Sequence, residues 1–116
     1  WAFLVPTPGY SNSVLSILVN NPIPDTYHLF QNYPNPFNPV TTFRYNLPED
    51  ELVNITIYDI IGRQIKTLIN SSQTAGYKSI QWNATNNTGQ SVSAGVYLFK
   101  IQAGNFIQTK KMVLLK

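Results

Sequence analysis

Hydrophobic and polar residues alternate along most of the chain after residue 40, and a period of two is the pattern of β-strands. In residues 41–47 the apolar side chains of Phe43, Tyr45 and Leu47 alternate with polar ones. Related runs, each bounded by turn-forming residues, occur at 53–59, 64–69, 77–82, 94–102 and 106–115. The pattern therefore predicts about six strands in the main body, and no helix is needed.

Turn signals recur every eight to fifteen residues, which is the spacing of a β-sandwich. The fold class expected is all-β: an Ig-like antiparallel β-sandwich of about seven strands with an extended N-terminal arm. Tight turns are expected at Gly62-Arg63 and Gly104-Asn105, and polar loops at 70–76 and 83–90. Alternation places ten residues in the core: Phe43, Tyr45, Ile55, Ile57, Ile80, Trp82, Tyr97, Phe99, Ile101 and Met112.

Residues 1–26 differ from the rest and are interpreted as an arm or linker at the end of an upstream region, followed by a domain at 27–116. The apolar run 13–19 predicts a strand, and Pro22 and Pro24 stiffen the linker after it. A lone strand satisfies its backbone by pairing with a sheet edge. Self-association with a neighbouring copy is therefore expected through Val14, Leu15, Ile17, Leu18 and Val19.

Composition excludes several classes of protein. Hydrophobic residues make up 43% of the 116 residues and charged residues only 11%, which is too apolar for a disordered chain. The net charge of +3 comes from scattered basic residues, so no nucleic-acid partner is expected. No apolar run approaches the roughly 20 residues of a membrane span, and no transmembrane segment is expected. The chain begins with Trp1, so we interpret it as a piece of a longer precursor.

Candidate catalytic groups are few. His28 is the only histidine, and there is no cysteine. A catalytic base needs a positioned partner, and three of the five acids fall together in the turn at 49–51. The loop at 83–89 supplies amide oxygens for calcium but no acid. We therefore expect no enzyme activity, no cofactor and no metal site.

The most distinctive segment has three prolines within six residues. Proline cannot donate to a β-ladder, so the segment is expected at a sheet edge or a sandwich end, with the backbone extended. Tyr33 and Phe37 are expected to plug the open end of the core. We call this segment the proline motif; it comprises Tyr33, Pro34, Asn35, Pro36, Phe37, Asn38 and Pro39.

Together with its flanking residues, this motif resembles the signature of the type A C-terminal sorting domain of type IX secretion, and of the related flagellar hook-capping Ig-like domain. The resemblance continues through 57–63, Trp82, Gly89, 94–98 and 110–116. It thus extends from about residue 27 to residue 116. One departure is Asn83, where many relatives carry Asp.

The resemblance implies a seven-stranded sandwich that the outer-membrane type IX translocon recognises after transit through the periplasm. The implied location is extracellular or on the outer cell surface, and the implied partner is the type IX secretion machinery. A structural subunit of an extracellular filament, assembled through the arm, is the alternative. By the resemblance, translocon recognition is assigned to Gly95, Val96, Tyr97, Lys110, Lys111, Met112 and Lys116.

Overall fold

The computed structural model describes residues 23–115, and this part of the chain consists of strands, turns and loops without a helix. The apolar run at 13–19 and Lys116 lie outside the described residues. The strands are β1 (His28–Leu29), β2 (Thr41–Leu47), β3 (Glu51–Asp59), β4 (Gln64–Gln73), β5 (Gly76–Trp82), β6 (Gly95–Ala103) and β7 (Phe106–Leu114).

The strands form two antiparallel sheets that pack face to face. One sheet has three strands in the order β1-β2-β5, and the other has four in the order β4-β3-β6-β7. Alternating side chains of both sheets fill the space between them. The predicted all-β, Ig-like sandwich is confirmed.

Nine of the ten predicted core residues are buried, which shows that the alternation assigned the inward faces correctly. The exception is Ile80, which is only half-buried. Its strand, β5, lies at the edge of the three-stranded sheet, so one flank of the side chain has no neighbouring strand to cover it.

The predicted loop at 70–76 is wrong over most of its length. Strand β4 continues to Gln73 and pairs with β3 as far as Glu51. The residues at 70–72 are polar and exposed, because β4 is an edge strand with a solvent-facing side. An edge strand of this composition has no hydrophobic alternation to distinguish it from a loop.

Trp82 closes one end of the core. Its side chain is 1% exposed, and its ring packs 5.9 Å from that of Phe37 and 5.7 Å from that of Tyr97. The indole Nε1 donates a hydrogen bond of 2.8 Å to the carbonyl oxygen of Thr85. The indole therefore joins the two sheets and anchors the loop that follows β5.

Replacing Trp82 by Ala is expected to destabilise the domain by about 3–5 kcal/mol, the usual result of truncating a large buried aromatic side chain. Tyr77→Ala on the same strand is the matched control, because that side chain is 61% exposed. Its effect should stay within about 0.5 kcal/mol. Denaturant unfolding followed by fluorescence and circular dichroism measures both, and equal effects would show that Trp82 is not a core residue.

Candidate functional site

The proline motif pairs with the last strand of the domain. The backbone N–H of Phe37 donates to the carbonyl oxygen of Val113 at 3.0 Å, and the N–H of Leu115 donates to the carbonyl oxygen of Phe37 at 2.8 Å. Phe37 thereby forms a parallel bridge with Leu114. This contact joins the first part of the domain to its C-terminal end.

Two side chains extend the contact along the same edge of β7. Asn35 Oδ1 accepts a hydrogen bond of 3.0 Å from the N–H of Val113. Gln31 Nε2 donates one of 2.8 Å to the carbonyl oxygen of Lys111. These groups satisfy the outward-facing backbone from the carbonyl oxygen of Lys111 to the N–H of Leu115, where no further strand continues the sheet.

A buried polar cluster holds the motif in its bend. Asn32 and Thr41 are 2% and 0% exposed. Asn32 Nδ2 donates to Thr41 Oγ1 at 3.0 Å, and the Thr41 hydroxyl donates to the carbonyl oxygen of Pro34 at 2.8 Å. Buried polar groups that are satisfied in this way fix one conformation.

The expected shape of the proline motif is corrected in two respects. The backbone is not extended throughout, since it bends at 34–36 and 38–39 between residues that bridge to β2 and β7. Phe37 plugs the core as expected, at 1% exposure, but Tyr33 does not, at 74% exposure. Tyr33 uses its backbone instead, which exchanges hydrogen bonds with Thr42. The other five residues of the motif are exposed.

Tyr97 and Met112 lie in the core behind this contact. They are opposite each other on β6 and β7 and are 6% and 0% exposed. The Tyr97 hydroxyl donates a hydrogen bond of 2.6 Å to the carbonyl oxygen of Ser93, as in the tyrosine corner of Ig-like domains. Burial, with a smaller contribution from the charge of Asp59, raises the pKa of this hydroxyl. Tyr97 and Met112 therefore hold the strands in place and offer little surface to a partner.

Beside Tyr97, the turn between β3 and β4 carries an exposed apolar pair. Ile60 and Ile61 are 68% and 72% exposed. They border a groove of about 440 Å³, which is also lined by Gly95 and Val96. We define the recognition end as this groove together with the proline motif and the adjoining end of β7.

Asp59 gives the turn its shape. Its Oδ1 accepts hydrogen bonds from the backbone N–H groups of Ile61 and Arg63 at 3.1 and 2.8 Å, and its Oδ2 pairs with Arg63 Nε at 2.8 Å. Desolvation raises the pKa of the carboxyl, but the hydrogen bonds and charge of Arg63 outweigh it and hold the pKa below its ordinary value.

The two adjacent lysines assigned to recognition, Lys110 and Lys111, do not lie on one face of the sheet. Lys110 lies opposite Phe99 and Lys111 opposite Leu98, so they project from opposite faces of the sheet. Lys111 is exposed and Lys110 half-buried. Gly95, Val96, Tyr97 and Met112 are brought together, whereas Lys116 and the arm residues 14–19 lie outside the described residues.

The resemblance at residues 57–63 includes Ile60 and Ile61, but sequence reasoning did not assign this exposed pair to recognition. The available signal was two consecutive isoleucines that break the alternation at a turn. It also missed Gln31 and Asn32, because their partners are distant in sequence and polar loop residues show no periodicity.

The ring of His28 packs edge-on against Phe30, with centroids 4.3 Å apart.

Residues 23–115 contain no group of three His, Cys, Asp or Glu side chains arranged to hold a metal ion. No helix in this part of the chain is long and apolar enough to cross a membrane.

The family model described as the FlgD Ig-like domain matches residues 39–106, more than half of the chain. The chain belongs to this family. A comparison with curated proteins finds no match.

Three solved structures are similar in fold. Latent dimeric PorU from Porphyromonas gingivalis is 24% identical, with a TM-score of 0.63 over 79% of this chain. PorZ of the same organism, described as an essential surface component of the type IX secretion system, is 19% identical, with a TM-score of 0.52 over 79%. FlgD from P. aeruginosa is 24% identical, with a TM-score of 0.51 over 64% of this chain and 57% of its own. The chain spans only 9% of the PorU chain and 12% of the PorZ chain.

Asp59→Ala is expected to lower the midpoint of thermal unfolding at neutral pH, because two backbone N–H groups and Arg63 lose their acceptor. Asp59→Asn is the matched control, since it keeps an Oδ1 acceptor and loses only the ion pair with the exposed guanidinium of Arg63. A carboxyl with a lowered folded pKa stabilises above its unfolded pKa of about 3.9 and loses that effect as the pH falls.

The wild-type midpoint should therefore fall more steeply than that of Asp59→Asn as the pH is lowered from about 5 through the depressed pKa. Parallel pH profiles for the two proteins would contradict this assignment.

Proposed function

We propose that this chain is a non-catalytic, type A C-terminal sorting module of a secreted bacterial protein, recognised by the type IX outer-membrane translocon for secretion or surface anchoring. The similarity in fold to PorZ, which is described as a surface component of that system, and to PorU of the same organism supports this proposal, together with membership of a family of Ig-like domains. The proposed location is extracellular or on the outer surface, after transit through the periplasm.

One observation carries the proposal: the motifs of the resemblance meet at one end of the folded domain. The proline motif, the turn after β3, the start of β6 and the end of β7 are far apart in sequence. Pairing of Phe37 with β7 and of Gly95 with Leu114 brings three of them together, and Asp59 opposite Tyr97 adds the fourth. A partner protein binds a continuous surface, and this end of the domain provides one.

The recognition end has the features of a protein interface. Exposed apolar side chains that sit beside a groove are typical anchors for a partner. Ile60 and Ile61 provide the apolar area, and Arg63, whose side chain is 76% exposed, adds a charge at the rim. The hydrogen bonds of Asp59 hold the pair in a fixed position, which reduces the entropy lost on binding.

The proposal assigns different roles to the residues taken from the resemblance. Gly95 and Val96 line the groove and are open to contact. Tyr97 and Met112 act as positioning residues, because their side chains are buried. Lys111 is exposed beside the docked proline motif, where Gln31 binds its carbonyl oxygen. No catalytic step is proposed for His28, whose ring packs on Phe30.

The export test fuses a reporter to the N-terminus of the 116-residue chain in a host that has a type IX system. Replacing both Ile60 and Ile61 by Ser should reduce export at least about tenfold, the effect of losing about 1.4 kcal/mol of binding. The matched control replaces Leu52 and Ile107 by Ser. These two side chains have similar exposure, 61% and 57%, at the opposite end of the sandwich.

Removing residues 106–116 deletes β7 and should abolish export altogether. Thermal unfolding of each purified chain shows whether the double-Ser variants remain folded. Export of the Ile60/Ile61 variant at the control's level would refute the assigned surface, and export of the β7 deletion would refute the sorting function itself.

A further inference from the structure

A second groove, which shares no lining residue with the first, lies on the outer face of the four-stranded sheet. It has a volume of about 590 Å³, within the range of about 300–1,000 Å³ for small-ligand sites. Its lining comes from β3, β4, β6 and the turn that follows β6, and it includes no residue of the proline motif. This groove is therefore distinct from the groove beside Ile60 and Ile61.

The groove follows from irregular pairing of β3 with β4. The register shifts between Ile55 and Thr56 and again between Ile57 and Tyr58, and bulges of this kind increase the local twist and bend of a strand. Thr56 forms the floor at only 3% exposure, although it lies on the outer face. Gly104 bounds one end of the groove. A Cβ atom at this position would lie only 2.6 Å from Glu51 Oε2.

The lining is polar but nearly uncharged. Four amide side chains line the groove: Asn54, Gln64, Asn70 and Gln102. Each amide can both donate and accept hydrogen bonds, as can each hydroxyl group of a sugar. The charged residues of the lining are one cation, Lys100, and one anion, Glu51.

Two internal hydrogen bonds orient part of this lining in advance. Thr56 Oγ1 donates to Asn54 Oδ1 at 2.7 Å, which leaves the Asn54 amide nitrogen free to donate to a ligand. Gln64 Nε2 donates to Thr67 Oγ1 at 2.9 Å, which leaves its carbonyl oxygen as an acceptor. Preorganised polar groups reduce the cost of binding.

Tyr58 provides an apolar surface inside the polar lining. The Nζ of Lys100 lies over this ring, 5.5 Å from its centroid, so a sugar that stacks on Tyr58 either takes the place of this ammonium group or uses the opposite face of the ring. The C–H face of a pyranose ring packs on an aromatic face of this kind, while its hydroxyl groups reach the surrounding amides.

We propose that this groove binds a short neutral oligosaccharide. An anionic ligand would need more than one cation, and an apolar ligand would need an apolar lining. A sugar chain requires amides that both donate and accept, together with one aromatic face. The proposal goes beyond the sorting function, because the groove and the recognition end are separate surfaces.

The 116-residue chain is tested first on an array of neutral gluco-, galacto-, manno- and xylo-oligosaccharides with sialylated and uronic-acid glycans as comparators. The best neutral glycan is then titrated while backbone amide shifts are recorded. We expect binding with a Kd of about 1 mM or tighter, and shift changes confined to residues 54–58, 64–70 and 100–102.

Tyr58→Ala and Gln102→Ala should each weaken this binding at least about fivefold, because each removes a contact to the sugar. Tyr77→Ala, which removes an exposed tyrosine from the other sheet, should leave it unchanged. Three results would overturn the proposal: no neutral glycan binding at 1 mM, preference for acidic glycans, or shift changes centred on Ile60 and Ile61. An equal loss in all three variants would overturn it as well.

Discussion

The pairing of Phe37 with the end of β7 is the interaction on which the rest of the structure depends. Two backbone hydrogen bonds and the Asn35 side chain fix the proline motif to Val113 and Leu115. The same contact inserts the Phe37 ring beside Trp82 at the end of the core. Without it, the edge of β7 and one end of the aromatic cluster would both be open to water.

Proline chemistry explains why this segment can cover an edge without creating a new one. Pro34, Pro36 and Pro39 have no N–H to offer to a further strand. The asparagine side chain supplies the bond that a regular strand would have made through its backbone. The covered part of β7 is thus held in one conformation, and it is this part that joins the recognition end.

The strands could be predicted from sequence because each depends on a local alternation of side chains. The same rule fails for Ile80 and for the polar end of β4, because edge strands are covered on one side only. The exposure of Tyr33 could not be foreseen either. Its neighbours in sequence do not reveal which of two aromatic residues in a bent segment points inward.

The recognition end could not be predicted from local sequence patterns either. It depends on contacts between residues more than 70 positions apart, such as Asn35 with Val113. A resemblance can identify such residues together, but it does not separate the buried Tyr97 and Met112 from the accessible Val96. Only the packing of the two sheets separates residues that hold the surface in place from those that form it.

Hydrogen exchange along the outer edge of β7 tests the central claim most directly. The N–H groups of Thr109, Lys111 and Val113 face outward from the sheet in turn, and among the described residues only Val113 has a partner, Asn35. Our account predicts that the Val113 amide exchanges at least about tenfold more slowly than those of Thr109 and Lys111, and that Asn35→Ala removes the difference. Equal rates for the three amides in the unaltered chain would contradict the docking of the proline motif on β7.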